Sequence, residues 1–278
     1  MRRSEFVGVQ AVTLLMLFLM YSILCTSAVK KELTMDVVFM KDFPVLPSVC
    51  DASGALSYPG AFECFMDIAT QHADLLGVGL HDLQPRNLFW LTVKTKVVFL
   101  CRPKMGENTT LITWPEVPGR LRCMRSYEMR QGDKLLLCAK TEWAVVNTAT
   151  QRMVPASEVF PNGDLFRRDT ACTEAFTMIP DHFDGIHPYA QYTVRSTDID
   201  VGGHMNNAAY LKALFGTFSC KELAEKNIRS VDALFRAPCF EGDELMWQRA
   251  ETAEGFQIRA TCKGKTVFLA AIECEKTA

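Results

Sequence analysis

The chain has 278 residues, 49% of them apolar and 22% charged, a globular composition with material for one large domain or two of about 130 residues. A formal net charge of -2 leaves no basic surplus to neutralise a phosphate backbone, which argues against nucleic acid as a partner. Eleven cysteines sit singly, without a CxxC pair or other metal-ligand spacing, as small buried hydrophobes do in a reducing compartment.

Residues 1–34 open with MRRSEF, continue through an apolar run at 7–25 and reach TSA ahead of a possible cleavage after Ala28. Three readings fit: a signal peptide, a membrane anchor through residues 7–25, or upstream sequence preceding a start at Met35. The cysteine pattern favours the cytoplasm, with membrane anchoring as the alternative.

Residues 35–151 form a first patterned block. Its helix, AFECFMDIATQHADLLG, places Phe62, Phe65, Met66, Ala69, Ala73 and Leu76 on one face at spacings of three and four. Residues 152–188 follow, with Pro155, Pro161, Pro180, Pro188 and Asn162-Gly163, and read as a linker. In the second block, 189–278, Leu211, Leu214, Phe215 and Phe218 repeat the helical stripe. FLCRPKMGENTTLITW and LFRAPCFEGDELMW both run strand, proline, glycine-acidic turn, strand, about 135 residues apart. The expected architecture is α+β: a duplicated unit of one helix against a curved antiparallel sheet, with sheet edges able to pair between halves.

The segment DIDVGGHMNNAAY opens the second helix. Gly202 and Gly203 permit a sharp turn from strand to helix, and Asn206 or Asn207 is placed to cap it. Asp200 and His204 stand just before a helix N-terminus, whose unpaired N–H groups suit a developing oxyanion. Base, imidazole and oxyanion donors are the parts of an acyl-transfer site, although Asp, Asn and Gly-Gly at a helix start also serve as plain caps and turns. The DxDxxxH spacing could also take a metal, but no further His or Cys stands nearby to complete a shell, so none is expected.

From about residue 35 to 275 the sequence resembles the acyl-ACP thioesterases of the hotdog superfamily. Asp198, Asp200, His204, Asn206, Asn207 and Tyr210 match a motif of the form DxDxNxHxNNxxY, and TEWAVVNTATQRMVP resembles the strand closing the family's first hotdog. The family's asparagine before the histidine is Gly202 here, and its downstream Glu-Cys pair reads Pro238-Cys239. The resemblance implies a double hotdog that hydrolyses the fatty acyl thioester of acyl carrier protein without a cofactor. It implies Asp200 and His204 as the core, with Asn206 and Cys239 at the motif's positions; Glu241 is a candidate to stand in for the missing carboxylate, while Cys239 also reads as a plain strand or turn cysteine and Glu241 as a polar turn residue before Gly242. Phe62, Phe65, Met66 and Ala69 are candidates for the acyl pocket, and Arg120, Arg122, Arg125 and Arg130 for a basic surface toward the acidic carrier. The first half carries SVCDASGALSYPGAF at the corresponding place, without the histidine and asparagines, so one active site per chain is expected, in a monomer or homodimer. An acyl-CoA thioesterase using the same residues and a non-catalytic acyl-binding hotdog protein are the competing readings.

Overall fold

A computed structural model describes residues 37–160 and 165–275. The segment 1–34, with its signal, anchor and upstream readings, lies outside the described residues. Among those described, no helix is long and apolar enough to cross a membrane.

The first half runs β1 (Phe39–Pro44), α1 (Tyr58–Leu75), the short α2 (Leu80–Leu83), then β2 (Leu88–Phe99), β3 (Asn108–Pro115), β4 (Cys123–Gln131), β5 (Lys134–Asn147) and β6 (Arg152–Val154). The second runs β7 (Ala190–Thr193), α3 (Asn207–Phe215), α4 (Cys220–Glu225), β8 (Ile228–Phe235), β9 (Glu244–Thr252), β10 (Gly255–Cys262) and β11 (Lys265–Cys274). All strands join one antiparallel sheet in the order β1-β3-β4-β5-β2-β8-β11-β10-β9-β7, with β6 paired to β5. The halves meet where β2 pairs β8, from Lys94 opposite Leu234 to Val98 opposite Ser230.

Local sequence explains the helices. Ser57 caps α1 by accepting the Gly60 N–H at 3.0 Å, and Pro59 sits in its first turn, where a missing N–H costs nothing. α1 and α3 pack against each other and share one core, in which Tyr58 stacks on Phe215 at 5.1 Å. Strand alternation does the rest: β10 reads half-buried, buried, half-buried, buried along its length.

The expected linker begins inside the sheet, since residues 152–154 pair with β5. Further on it straps the opposite face. Cys172 packs on Val98 and Cys138, while Thr177 meets Asp232, which also holds the buried Lys96 Nζ at 3.0 Å. This strap places the polar backing of the β2–β8 junction on the face away from the helices.

Candidate active site

Asp200 and His204 occupy the loop between a 3-10 turn at Ser196–Asp198 and α3. The loop closes on itself. Asp200 N–H donates to the His204 carbonyl at 3.0 Å, Gly203 N–H to the Asp200 carbonyl at 2.9 Å, and Met205 N–H to the Cys239 carbonyl at 2.7 Å. Gly203 has φ of 77°, the left-handed conformation that glycine takes without strain.

The carboxylate of Asp200 accepts the Gly202 N–H on Oδ1 at 2.7 Å, and Oδ2 has no protein partner among the described residues. His204 Nδ1 stands 3.7 Å from Oδ1, just beyond a hydrogen bond, with both side chains about one-quarter exposed. The imidazole rests against the edge of Phe89, ring centres 6.3 Å apart. Gly202 is what lets the pair sit so close. A Cβ built there would lie 3.0 Å from both Asp200 Oδ1 and His204 Nε2, so the family's asparagine would press on both groups.

The motif's other members hold the scaffold. Asp198 Oδ2 accepts the Tyr192 hydroxyl and the Arg195 N–H, each at 2.8 Å. Asn206 caps α3 by accepting the Ala208 N–H at 2.8 Å, and its own N–H goes to the Asp198 carbonyl. Tyr210 is buried, stacked on Phe268 at 5.4 Å. With Asn206 and Ala208 engaged, the Asn207 N–H is left at the helix start without an acceptor among the described residues.

Asp200, His204 and Asn207 line a cavity of about 260 Å³ that runs into the first half between α1 and the sheet. Its walls include Met66, Ala69, Leu83, Leu88, Trp90, Trp143 and Phe160. Met66 and Ala69, two of the candidates for the acyl pocket, line this cavity. Phe62 and Phe65 are not in the wall: the cavity lies along residues 66–73 of α1, and both phenylalanines are buried in the core, Phe65 against Tyr127 at 5.2 Å. Phe89, Trp90 and Trp143 were missed; the alternation in LFWLTV and TEWAVV marks inward-facing aromatics but does not say which cavity they face.

Cys239 and Glu241 stand apart from the cavity. Cys239 is fully buried, and burial pushes its thiol up to about 11, so it is no ready nucleophile. Glu241 is exposed in the turn before β9, where nothing brings it to Asp200. Cys239, Asp243 and Cys262 bring donor atoms within 4.8 Å of one another, but Asp243 is already held by Lys263 Nζ at 2.7 Å and by the Phe240 N–H at 2.9 Å. That trio also lies outside the cavity. Arg125, expected at the surface, is buried in the cavity wall, because on β4 it alternates inward with Cys123 and Tyr127. Arg122 pairs with Glu142 and Arg130 with Glu128, leaving Arg120 exposed.

The family model of the acyl-ACP thioesterase N-terminal domain matches residues 36–160, and that of the C-terminal domain matches residues 186–276. The chain belongs to the acyl-ACP thioesterase family. Its fold is the double hotdog seen in two solved members. An acyl-ACP thioesterase from Bacteroides thetaiotaomicron superposes with a TM-score of 0.79 at 23% identity, over 86% of this chain and 98% of that one. The 12:0-ACP thioesterase from Umbellularia californica gives 0.75 at 19% identity, over 86% and 97%. The chloroplastic palmitoyl-acyl carrier protein thioesterase of Arabidopsis thaliana is 22% identical over 253 residues, covering 86% of this chain. This chain spans 60% of that relative's length.

Proposed function

We propose that the protein is a thioester hydrolase that releases free fatty acid from acyl carrier protein, terminating chain elongation. The observation that carries this reading is Asp200 and His204 together at the partly exposed rim of a largely apolar cavity, beside the free N–H of a helix start. Family membership supports the same reaction class.

In this reading the acyl chain enters the cavity past Phe89 and the thioester carbonyl stops at His204. The imidazole orients or polarises that carbonyl, and its contact with Asp200 shortens when substrate excludes water. The unpartnered Oδ2 of Asp200 acts on an attacking water or on the carbonyl itself. The Asn207 N–H, with the positive end of α3 behind it, receives the charge that builds on the carbonyl oxygen. Each methylene buried contributes about 0.8 kcal/mol, so the cavity sets the preferred chain. The carrier protein is the natural donor partner, and singly spaced cysteines support a cytoplasmic setting.

The test is hydrolysis by the full chain of a panel of acyl-ACP thioesters and matched acyl-CoAs. Faster turnover of acyl-ACP supports the proposal. Equal or faster acyl-CoA turnover would transfer the reading to a CoA thioesterase. Acyl binding without turnover of either would favour a binding protein, as the loss of the family's asparagine and glutamate at Gly202 and Pro238 permits.

A further inference from the structure

The cavity wall is not wholly apolar. Arg125 lies in it at 7% exposure. Its Nη1 donates to His72 Nδ1 at 3.0 Å and to Thr113 Oγ1 at 3.3 Å, and it forms no salt bridge among the described residues. Nε and Nη2 have no acceptor there either. A guanidinium stays protonated and only donates, so a buried one without a carboxylate is costly unless something in the cavity accepts from it.

A further polar group shares this wall. Thr92 Oγ1 is buried without a hydrogen-bond partner among the described residues, while the indole N–H of Trp143 is directed at the Tyr127 hydroxyl, outside the cavity. The register brings them together. Thr92 on β2 opposes Trp143 on β5, Trp143 opposes Cys123 on β4, and Arg125 is the next residue inward on that strand. The guanidinium can only donate, and a bare hydrocarbon chain would leave its Nε and Nη2 and the Thr92 hydroxyl unsatisfied.

We propose that this wall recognises an acceptor oxygen carried by the acyl chain itself, so that the preferred substrate is an oxygenated acyl chain rather than a plain one. The inference rests on the cavity being the acyl site. His204 meets β2 through Phe89, which opposes Val146, whereas Arg125 on β4 opposes Thr141, so the two lie two strands apart and five residues along β5, about 10 Å across the sheet and about 17 Å along it. The recognised oxygen is thus several carbons from the thioester. With no carboxylate paired to Arg125 among the described residues, its charge favours a carboxylate over a neutral carbonyl.

Binding is the direct test, because it does not depend on catalysis. The probes are three methyl esters of equal chain length, one plain, one with a terminal carbonyl and one with a terminal carboxylate, titrated by tryptophan fluorescence. The wild type should bind an oxygenated ester about tenfold tighter than the plain one, the carboxylate most. Arg125→Met should abolish that ratio, and Arg125→Lys should keep part of the carboxylate preference. If Arg125→Met does not fold, Thr92→Val should still reduce the ratio. Equal binding of all three esters by the wild type, or an unchanged ratio in folded Arg125→Met, would overturn the proposal; longer plain chains gained by Arg125→Met without any oxygen preference would do so too. Failure to hydrolyse any acyl-ACP, with the ester ratio intact, would sink the thioesterase reading and leave this inference standing.

Discussion

The two helix-opening loops share one backbone and differ in their side chains. Asp51 N–H donates to the Ala55 carbonyl at 2.9 Å as Asp200 does to His204 at 3.0 Å; Gly54 returns to Asp51 as Gly203 returns to Asp200, both at 2.9 Å with positive φ. Leu56 N–H bonds the Pro103 carbonyl as Met205 bonds that of Cys239, and Ser57 caps α1 as Asn206 caps α3. By this register Asp51 matches Asp200, Ser53 matches Gly202, Ala55 matches His204 and Arg102 matches Pro238. In the first loop Arg102 ion-pairs Asp51 and covers the Tyr58 ring at 4.4 Å, so the carboxylate is spent on structure. In the second, proline removes the arm that would reach Asp200, and histidine replaces alanine. The same turn serves as a structural clasp in one half and presents an open carboxylate beside an imidazole in the other.

The largest effect should come from His204→Ala, which makes the second loop resemble the first. Hydrolysis should fall about 10²–10⁴-fold with an unchanged circular dichroism spectrum. Pro238→Arg should come next. A guanidinium at the place of Arg102 would draw Asp200 into an ion pair, lowering kcat/KM about tenfold in steady-state assays with little change in stability. Gly202→Asn restores the family's residue, yet its Cβ would press on Asp200 and His204. We expect a severalfold loss in kcat with little change in KM, and a gain in kcat would show that the loop yields instead.

The smallest effect belongs to the clasp. Burial raises the Asp51 carboxyl, but its bonds to Ser53 and Arg102 outweigh that and hold it below the usual range. A carboxyl depressed by folding adds stability that is present above its unfolded value, near pH 3.9, and lost as pH falls through the lower folded one. Arg102→Ala should therefore cost about 1 kcal/mol at neutral pH in denaturant titrations, and the difference from wild type should vanish in acid.

The sequence carried the duplication plainly, because α1 and α3 keep spacings of three and four and the strands keep their alternation. It also carried the loop, since Gly203 and Asn206 do there what glycine and asparagine do at any such turn. What it hid was depth. Arg125 sits in a run with Arg122 and Arg130 and reads as surface charge, until the pairing of β4 between β3 and β5 turns it inward. Phe62 and Met66 share a helical stripe, yet the cavity lies only along residues 66–73 of α1. Cys239 keeps the family's position, its surroundings in FRAPCFEG already read as a plain strand or turn cysteine, and tertiary packing buries the thiol fully.

The most direct measurement is fatty acid release from acyl-ACP by wild type, Asp200→Asn and Asp51→Asn side by side. Loss of turnover in Asp200→Asn alone, with Asp51→Asn near the wild-type rate, is the predicted result. Equal rates in all three, or a loss confined to Asp51→Asn, would contradict the assignment of the chemistry to the second loop.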